Sequence, residues 1–381
     1  MAIAPSRTAT NRSILRSLLA LVVLCSRGSG FLLVPQLKYG YPRGAVFVSP
    51  SDSQTQLLMT TTTSASSSIP PINTPTQAVF RDTNVLITGA SGGLGRCLAL
   101  ALAQCQCRSL ILSARKRSQL EAVATECRSL HPQCNVHVIP CDLSDAKDVE
   151  RLGNRIMDIN SSSSTNDGDA SHTSAVLPTM IDVLINNGGV SSRSRFVDTD
   201  ASVDQRVMQI NFLAGAALAK AVVPGMIASG RSGKKIIWIS SVQGLVGIPH
   251  RSSYAASKFA VQGYCESIRA ELRGSDIGVH TISPGYINTG LSQAAVTGDG
   301  TAYGVTDATT AAGADPSALA VEILERVAAG QADCVVAATV SARLAVWLRL
   351  LCPGVLRSLL VRRYEKTMAG QDRGGGKKKD E

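Results

Sequence analysis

Residues 252–258 read SSYAASK, and in a helix Tyr254 and Lys258 stand one turn apart on the same face. A phenol beside an ammonium can hand over a proton, because the cation favours the phenolate and draws the phenol down from its usual pKa of about 10. The same spacing also occurs on solvated helix faces. What surrounds the pair decides between the two readings.

A second constellation lies near the start of the patterned region. TGASGGLG (88–95) follows the apolar run NVLIT and opens into RCLALALAQCQ. Gly89, Gly93 and Gly95 let backbone approach a pyrophosphate, and the helix that follows offers free amides and the positive end of its dipole. Ser91 and Leu94 belong to the same turn. The next strand ends ILSARKR, where Ala114 replaces the carboxylate that would grip ribose hydroxyls. Arg115, Lys116 and Arg117 follow; they suit the extra phosphate of NADP(H), with Arg115 best placed to bind it and stack on adenine. Lys116 and Arg117 also read as a solvated basic turn. CDLSD, after the third strand, sets Asp142 and its neighbour Leu143 where adenine would be met.

The elements that must position these groups are legible as short apolar runs. They are NVLIT (84–88), SLILS (109–113), NVHVIP (135–140), DVLIN (182–186), KIIWIS (235–240), GVHTIS (278–283) and DCVVAA (333–338), with helical periodicity between them. Continuous rather than alternating apolar strands are buried on both faces, as in a parallel sheet wrapped by helices. The pattern predicts one α/β, Rossmann-like, doubly wound domain with a seven-stranded parallel sheet, spanning 81–340, and no second domain. The polar stretch 160–179, which contains His172, enters at the N-terminal end of a strand and reads as a flexible insert remote from chemistry.

The net charge of +10 lies in the two ends: residues 1–80 carry +5, 343–381 carry +6, and 81–342 carry −1. A nucleic-acid-binding core would hold a basic stripe in its folded body, so that class is excluded. The ten cysteines are scattered through core-like segments, and CQC at 105–107 lacks zinc spacing, so they read as buried thiols in a reducing compartment with no metal site.

Six motifs in order, namely the glycine turn, LINNGGV (184–190), MQINF (208–212), ISSVQG (239–244), YAASK and SPGYINT (283–289), resemble the short-chain dehydrogenase/reductase family over roughly residues 82–340. The resemblance implies that Tyr254 protonates a carbonyl oxygen, with Lys258 holding the nicotinamide ribose and lowering the tyrosine pKa. By the same resemblance Ser241, thirteen residues before Tyr254, bonds the substrate oxygen, and Ser240 is structural. Asn211 would anchor a water serving Lys258; Asn187, Pro284, Gly285 and Thr289 would line the cofactor, Thr289 at the carboxamide. The family's Asn-Asn-Ala-Gly turn here reads Asn186, Asn187, Gly188, Gly189, and the extra glycine is expected to loosen it. Toward the C-terminus the chain resembles the subgroup typified by dehydrogenase/reductase member 7B. That implies a membrane-associated reductase of a lipid-like ketone such as acyl- or alkyl-dihydroxyacetone phosphate. A steroid-, retinoid- or isoprenoid-type dehydrogenase is the alternative, and a non-catalytic NADP-binding sensor is the alternative of another class. A homodimer or tetramer is expected.

On the substrate side, residues 286–313 hold Asp299 and Asp307 but no cation, and read as a mobile cover. Arg193, Arg195 and Arg251 border the site in sequence, and each reads more readily as a surface charge than as a ligand. Residues 1–80 read as a leader. Arg7, Arg12 and Arg16 precede the apolar run Leu18–Cys25, and a Ser/Thr-rich stretch beginning at Phe31 follows. It resembles the bipartite leaders that route proteins to secondary plastids through the secretory pathway, with an endoplasmic-reticulum signal anchor as the alternative. Residues 341–366, broken at Pro353-Gly354, read as two amphipathic helices that lie on a membrane or pack on the body or a sister subunit. The basic tail 367–381 is expected to be disordered.

Overall fold

The structure, a computed structural model, describes residues 69–161 and 180–375. The seven apolar runs form seven strands: β1 (Asn84–Thr88), β2 (Ser109–Ser113), β3 (Asn135–Val138), β4 (Val183–Asn186), β5 (Lys234–Ile239), β6 (Ile277–Pro284) and β7 (Asp333–Val336). All neighbours are parallel, in the order β3-β2-β1-β4-β5-β6-β7. The expected doubly wound α/β sheet is therefore present, and its order reverses between β1 and β4, where a crevice opens at the strands' carboxyl ends.

Burial on both faces explains the continuous apolar runs. Alternate residues of one strand feed two cores: Val85, Ile87, Leu110 and Leu112 pack with Leu98, Leu102, Leu319 and Ile323. Leu86, Ile111, Ile236 and Trp238 pack on the other side with Leu152, Leu218, Val222 and Val261. The helices that cover the first face are α2 (Gly93–Gln104), α3 (Arg117–Leu130) and, after the long excursion that follows β6, α8 (Pro316–Ala328). The second face is covered by α4 (Ala146–Ser161), α6 (Ala214–Ala228) and α7 (Ser252–Glu271). α5 (Ala201–Met208) runs into α6 through a π-helical turn at Gln209–Leu213. Residues 201–228 are the one stretch among the described residues long and apolar enough to cross a membrane, and about half of that stretch is buried in the protein.

Two boundaries differ from expectation. Residues 69–80, assigned by sequence to the leader, belong to the body: α1 (Thr74–Phe80) is capped by Asn73, whose Oδ1 accepts from the Thr76 N–H at 2.9 Å. Phe80 is fully buried, and the Asn73 amide donates to Glu325 on α8 at 2.5 Å. At the other end α9 (Val340–Leu351) and α10 (Pro353–Gly375) break at Cys352 as the Pro-Gly pair predicts, but α10 continues through residues 367–375, where the composition predicts disorder. The polar insert's residues 162–179, the leader's residues 1–68 and the tail's residues 376–381 lie outside the described residues, and with them the readings of compartment and of His172. The nine cysteines among the described residues are free thiols, eight of them buried.

Candidate active site

The turn from β1 into α2 is shaped by what a side chain would strike. Gly89 has φ +66°, and a Cβ there would lie 2.7 Å from Gly188 Cα; a Cβ on Gly95 would overlap the carbonyl oxygen of Gly89. The N-terminus of α2, at Gly92, has no side-chain cap and no acid in its first turn. Its amides therefore face the crevice unpartnered by side chains, which is the geometry an anionic pyrophosphate requires.

A cavity of ≈ 580 Å³ begins at this turn and runs across the carboxyl ends of the strands. It is lined by Gly89, Ser91, Gly93, Leu94 and Gly95, by Arg115, Asp142, Leu143 and Asn187, and by Ser241, Tyr254, Lys258, Pro284, Gly285 and Thr289. Of the residues that the sequence assigns to catalysis or to the cofactor, all but Asn211 line this cavity; Arg117 and Arg195 do not. The fit to a dinucleotide rests on the glycine cradle, the uncapped helix and this length of cavity.

At the adenine end, Arg115 is exposed and makes no ion pair among the described residues, whereas Arg117 turns back to Glu121 at 3.3 Å. Partial burial pushes the Asp142 carboxyl up, but bonds from the Ser144 N–H and hydroxyl and the charges of Arg115 and Arg206 leave it below its ordinary value. The Asn186–Gly189 turn is held by hydrogen bonds to the end of β1. Asn187 and Gly188 donate backbone N–H groups to Thr88 Oγ1 at 3.1 and 3.0 Å. The Asn187 amide bonds the carbonyls of Thr88 and Gly89 at 3.0 and 3.2 Å, and the Leu143 side chain fills the place a methyl on Gly188 would take.

The chemistry-bearing end is assembled by close approach of α7 to the loop after β5. A Cβ on Gly244 would lie 2.6 Å from the Lys258 carbonyl oxygen, so glycine lets the loop and the helix touch. Ser241 begins that loop and accepts the Gln243 N–H at 3.1 Å, while Ser240 donates to the Lys258 carbonyl at 3.3 Å. Tyr254 and Lys258, on the first turns of α7, are both buried. Lys258 Nζ donates to the Ile239 carbonyl at 2.8 Å. The π-helical turn presents Asn211, which exchanges hydrogen bonds with the Val190 backbone at 2.8 and 2.9 Å and donates to Ser257 at 2.9 Å. A Cβ on Gly189 would sit 3.1 Å from Asn211 Oδ1 and 3.5 Å from Lys258 Nζ, so glycine keeps the gap between them open.

Burial pushes the Tyr254 phenol up; what opposes it is the nearby Ser241 hydroxyl and then the charges of Arg251 and Arg193. Burial also lowers Lys258 to about 8, which weakens its standing charge. The physical reason is the dry pocket, which disfavours phenolate and ammonium alike.

Arg193 and Arg251 correct an expectation. Their side chains are only 9% and 12% exposed, both line the cavity, and their charges act on the Tyr254 phenol. Asp307 Oδ2 accepts from Arg193 Nε and Nη2 at 3.0 and 2.6 Å, from Arg251 at 3.2 Å and from Ser292 at 3.1 Å. One carboxylate thus faces two guanidiniums. The carboxyl is raised by burial but held below its ordinary value by Arg193, Ser292 and Arg251. Arg195, by contrast, is a surface pair with Asp198, as its sequence reading has it. The segment expected as a cover is tied to the loop after β4 by reciprocal backbone bonds, Val296 to Ser191 at 2.9 Å and Arg193 to Val296 at 2.8 Å, besides the Asp307 pairs. Sequence reasoning also missed Gln243, a cavity residue whose buried Oε1 has no partner. Its signal was its place two residues after Ser241.

A doubly wound sheet, a glycine cradle at its switch point and a buried Ser-Tyr-Lys cluster define a dinucleotide-dependent oxidoreductase. The short chain dehydrogenase family matches residues 83–300, and the chain belongs to the short-chain dehydrogenase/reductase family. It is 41% identical over 285 residues to a dehydrogenase/reductase SDR family protein 7-like of Anopheles gambiae, covering 74% of this chain and 83% of that protein. It is 39% identical to dehydrogenase/reductase SDR family member 7B of Bos taurus, over 76% of this chain and 84% of the relative. Among solved structures it is similar to a short-chain dehydrogenase from Sphingobium yanoikuyae in complex with NADPH, at 26% identity and TM-score 0.55, covering 73% of this chain and 95% of that one. A Burkholderia phymatum family member in complex with NAD shares the fold at 21% identity and TM-score 0.58, covering 71% of this chain and 93% of that one.

Proposed function

We propose that the protein is an NADPH-dependent reductase of a lipid-like ketone that carries an anionic group, a class that includes acyl- and alkyl-dihydroxyacetone phosphate. The observation that carries the reading is the Arg193–Asp307–Arg251 cluster, where two part-buried cations share one carboxylate beside Tyr254 and leave one positive charge for a substrate anion. Arg115 supports the choice of NADPH, since it is free of ion pairs among the described residues where an acid would otherwise meet a ribose.

The glycine turn and the N-terminus of α2 hold the pyrophosphate, Arg115 the ribose phosphate, Asp142 and Leu143 the adenine, and Asn187, Pro284, Gly285 and Thr289 the nicotinamide half. The reduced nicotinamide supplies the hydride. Tyr254, whose raised pKa keeps it protonated at neutral pH, donates its phenolic proton to the carbonyl oxygen as that oxygen gains charge. Ser241 bonds the same oxygen and the tyrosine hydroxyl, and so keeps the two aligned. Lys258 holds the ribose and, with Asn211 across the gap kept by Gly189, returns a proton to Tyr254 from solvent.

The test is NADPH oxidation by the purified full chain with an acyl-dihydroxyacetone phosphate, the same ketone without phosphate, and a steroid ketone. The phosphorylated ketone is expected to have the highest kcat/KM, and Arg251→Met is expected to lower it about a hundredfold while leaving the neutral ketone within about threefold. Turnover of the steroid with none of the phosphorylated ketone would favour the steroid- or retinoid-type reading instead. Undiminished turnover in Tyr254→Phe on every accepted ketone would remove the catalytic reading.

A further inference from the structure

The C-terminal hairpin leaves an apolar face that nothing covers among the described residues. On α9, Val340, Leu344, Trp347 and Leu351 recur at helical spacing and are all exposed, Trp347 at 62%. On α10, Val355 and Leu359 are also exposed, and Arg362 and Lys366 follow at the same helical spacing. Over residues 340–368 the cations are Arg343, Arg349, Arg357, Arg362, Arg363 and Lys366, against the single acid Glu365.

The hairpin is not a loose appendage. Arg349 donates to the Leu245 carbonyl at 2.7 Å and lies 4.4 Å from the centre of the Phe259 ring. His250 stacks on Tyr364 with ring centres 5.4 Å apart. Leu245 and His250 lie within two residues of Gln243 and Arg251, so the segment is fastened beside two residues that line the cavity.

We infer that this face docks the protein on an anionic lipid surface. An apolar stripe carrying an exposed tryptophan and bordered by arginines matches the boundary between headgroups and acyl chains, where the ring and the leucines are buried and the cations meet lipid phosphates. A second copy is the poorer occupant, because a twofold contact of this face would bring together two segments that each carry six cations against one acid. Docking by this face holds the cavity mouth beside the layer in which a lipid-like ketone dissolves. Such docking rests on the hairpin alone and does not need the substrate assignment.

Trp347 gives the test its readout, because the chain has two tryptophans and the other, Trp238, is 1% exposed in the core. The difference between wild type and Trp347→Phe isolates the emission of Trp347 in the full chain, and residues 1–68 contain no tryptophan to imitate it. On addition of phosphatidylcholine vesicles with about a third phosphatidylserine, that emission is expected to shift to the blue and to be quenched by brominated acyl chains. Pure phosphatidylcholine is expected to act only at higher lipid. Replacing Arg357, Arg362 and Arg363 by Gln is expected to raise the lipid needed for half-maximal shift about a hundredfold, with the far-ultraviolet circular dichroism unchanged. No shift with either vesicle in a folded protein overturns the inference. So does a Trp347 emission already blue-shifted without lipid, which would mean that a second copy or another part of the chain covers the face. An unmoved midpoint in the triple variant overturns it as well.

Discussion

The Lys258 ammonium nitrogen lies 5.8 Å from the centre of the Tyr254 ring and spends its hydrogen bond on the Ile239 carbonyl, 2.8 Å away. The pair is thus close but not bonded, and burial pulls its members in opposite directions, the phenol up and the amine down to about 8. In this arrangement the lysine is mostly charged at neutral pH and gives up its proton near pH 8, while the tyrosine keeps its own.

That depression has a consequence for stability. Between about pH 8 and the ordinary lysine value of 10.5, the unfolded chain binds a proton at Lys258 that the folded chain has released. Stability therefore rises with pH across this window and is lost again as pH falls through the folded value. The buried charge costs up to about 3 kcal/mol below pH 8, and the cost fades by the upper end. Urea unfolding of wild type and Lys258→Met without cofactor, at about pH 7.5 and about pH 10, should show the wild type gaining on the variant at the higher pH. A difference independent of pH would mean that the amine stays charged in the fold.

Removing the phenolic hydroxyl separates proton transfer from binding. Tyr254→Phe is expected to lower kcat by about 10²–10⁴-fold with NADPH affinity nearly unchanged, since the ring still fills its buried site. Ser241→Ala is expected to lower kcat in the same range and to be non-additive with Tyr254→Phe, because the two hydroxyls act on one oxygen. Steady-state kinetics of the single and double variants, with fluorescence titration of NADPH, read both quantities. Additive losses would mean that Ser241 acts elsewhere.

Most of the fold is legible in the amino-acid order, because two-sided burial writes itself as continuous apolar runs such as NVLIT and KIIWI, and glycine marks where backbone must pass close to backbone. What the sequence does not display is long-range. Arg193 and Arg251 meet through Asp307, which is 114 and 56 residues away in sequence, so neither charge announces its partner and both look like surface groups. The tyrosine's environment is hidden for the same reason, since the dryness of a pocket comes from several distant segments. Residues 69–80 do carry a local signal beneath their leader-like setting: Asn73 followed by Thr74-Pro75 is a helix start, and Phe80 marks the buried face.

The adenine end makes a prediction about cofactor choice. Arg115 faces the cavity with no ion-pair partner among the described residues, and its charge would meet a 2′-phosphate but gains little from a ribose hydroxyl. Arg115→Ala is expected to weaken NADPH by about ten- to a hundredfold and NADH by less than about threefold, measured as dissociation constants by nucleotide fluorescence. Equal losses for the two nucleotides would show that Arg115 serves only the adenine, and the phosphate would then fall to Lys116.

Two glycines that look alike in sequence should answer differently to the same substitution. Gly95→Ala sets a methyl against the Gly89 carbonyl and 2.6 Å from the Asn187 amide, both parts of the stitched β1 turn, and neither can yield without breaking the bonds between Asn187 and Thr88. The cost expected is about 2–3 kcal/mol, with loss of nucleotide binding because the cradle itself must move. Gly188→Ala clashes with the end of the Leu143 side chain, which can rotate into the cavity, and meets Gly89 N and Thr88 Oγ1 at an ordinary 3.4 Å, while the Gly188 N–H keeps its bond to Thr88 at 3.0 Å. This variant should lose less than about 1 kcal/mol and should affect nucleotide affinity only through the displaced leucine. Denaturant unfolding and nucleotide titration of both variants distinguish the two cases. A Gly188→Ala protein as unstable as Gly95→Ala would mean that Leu143 is locked in place and that this turn, rather than the β1 turn alone, sets the geometry of the cradle.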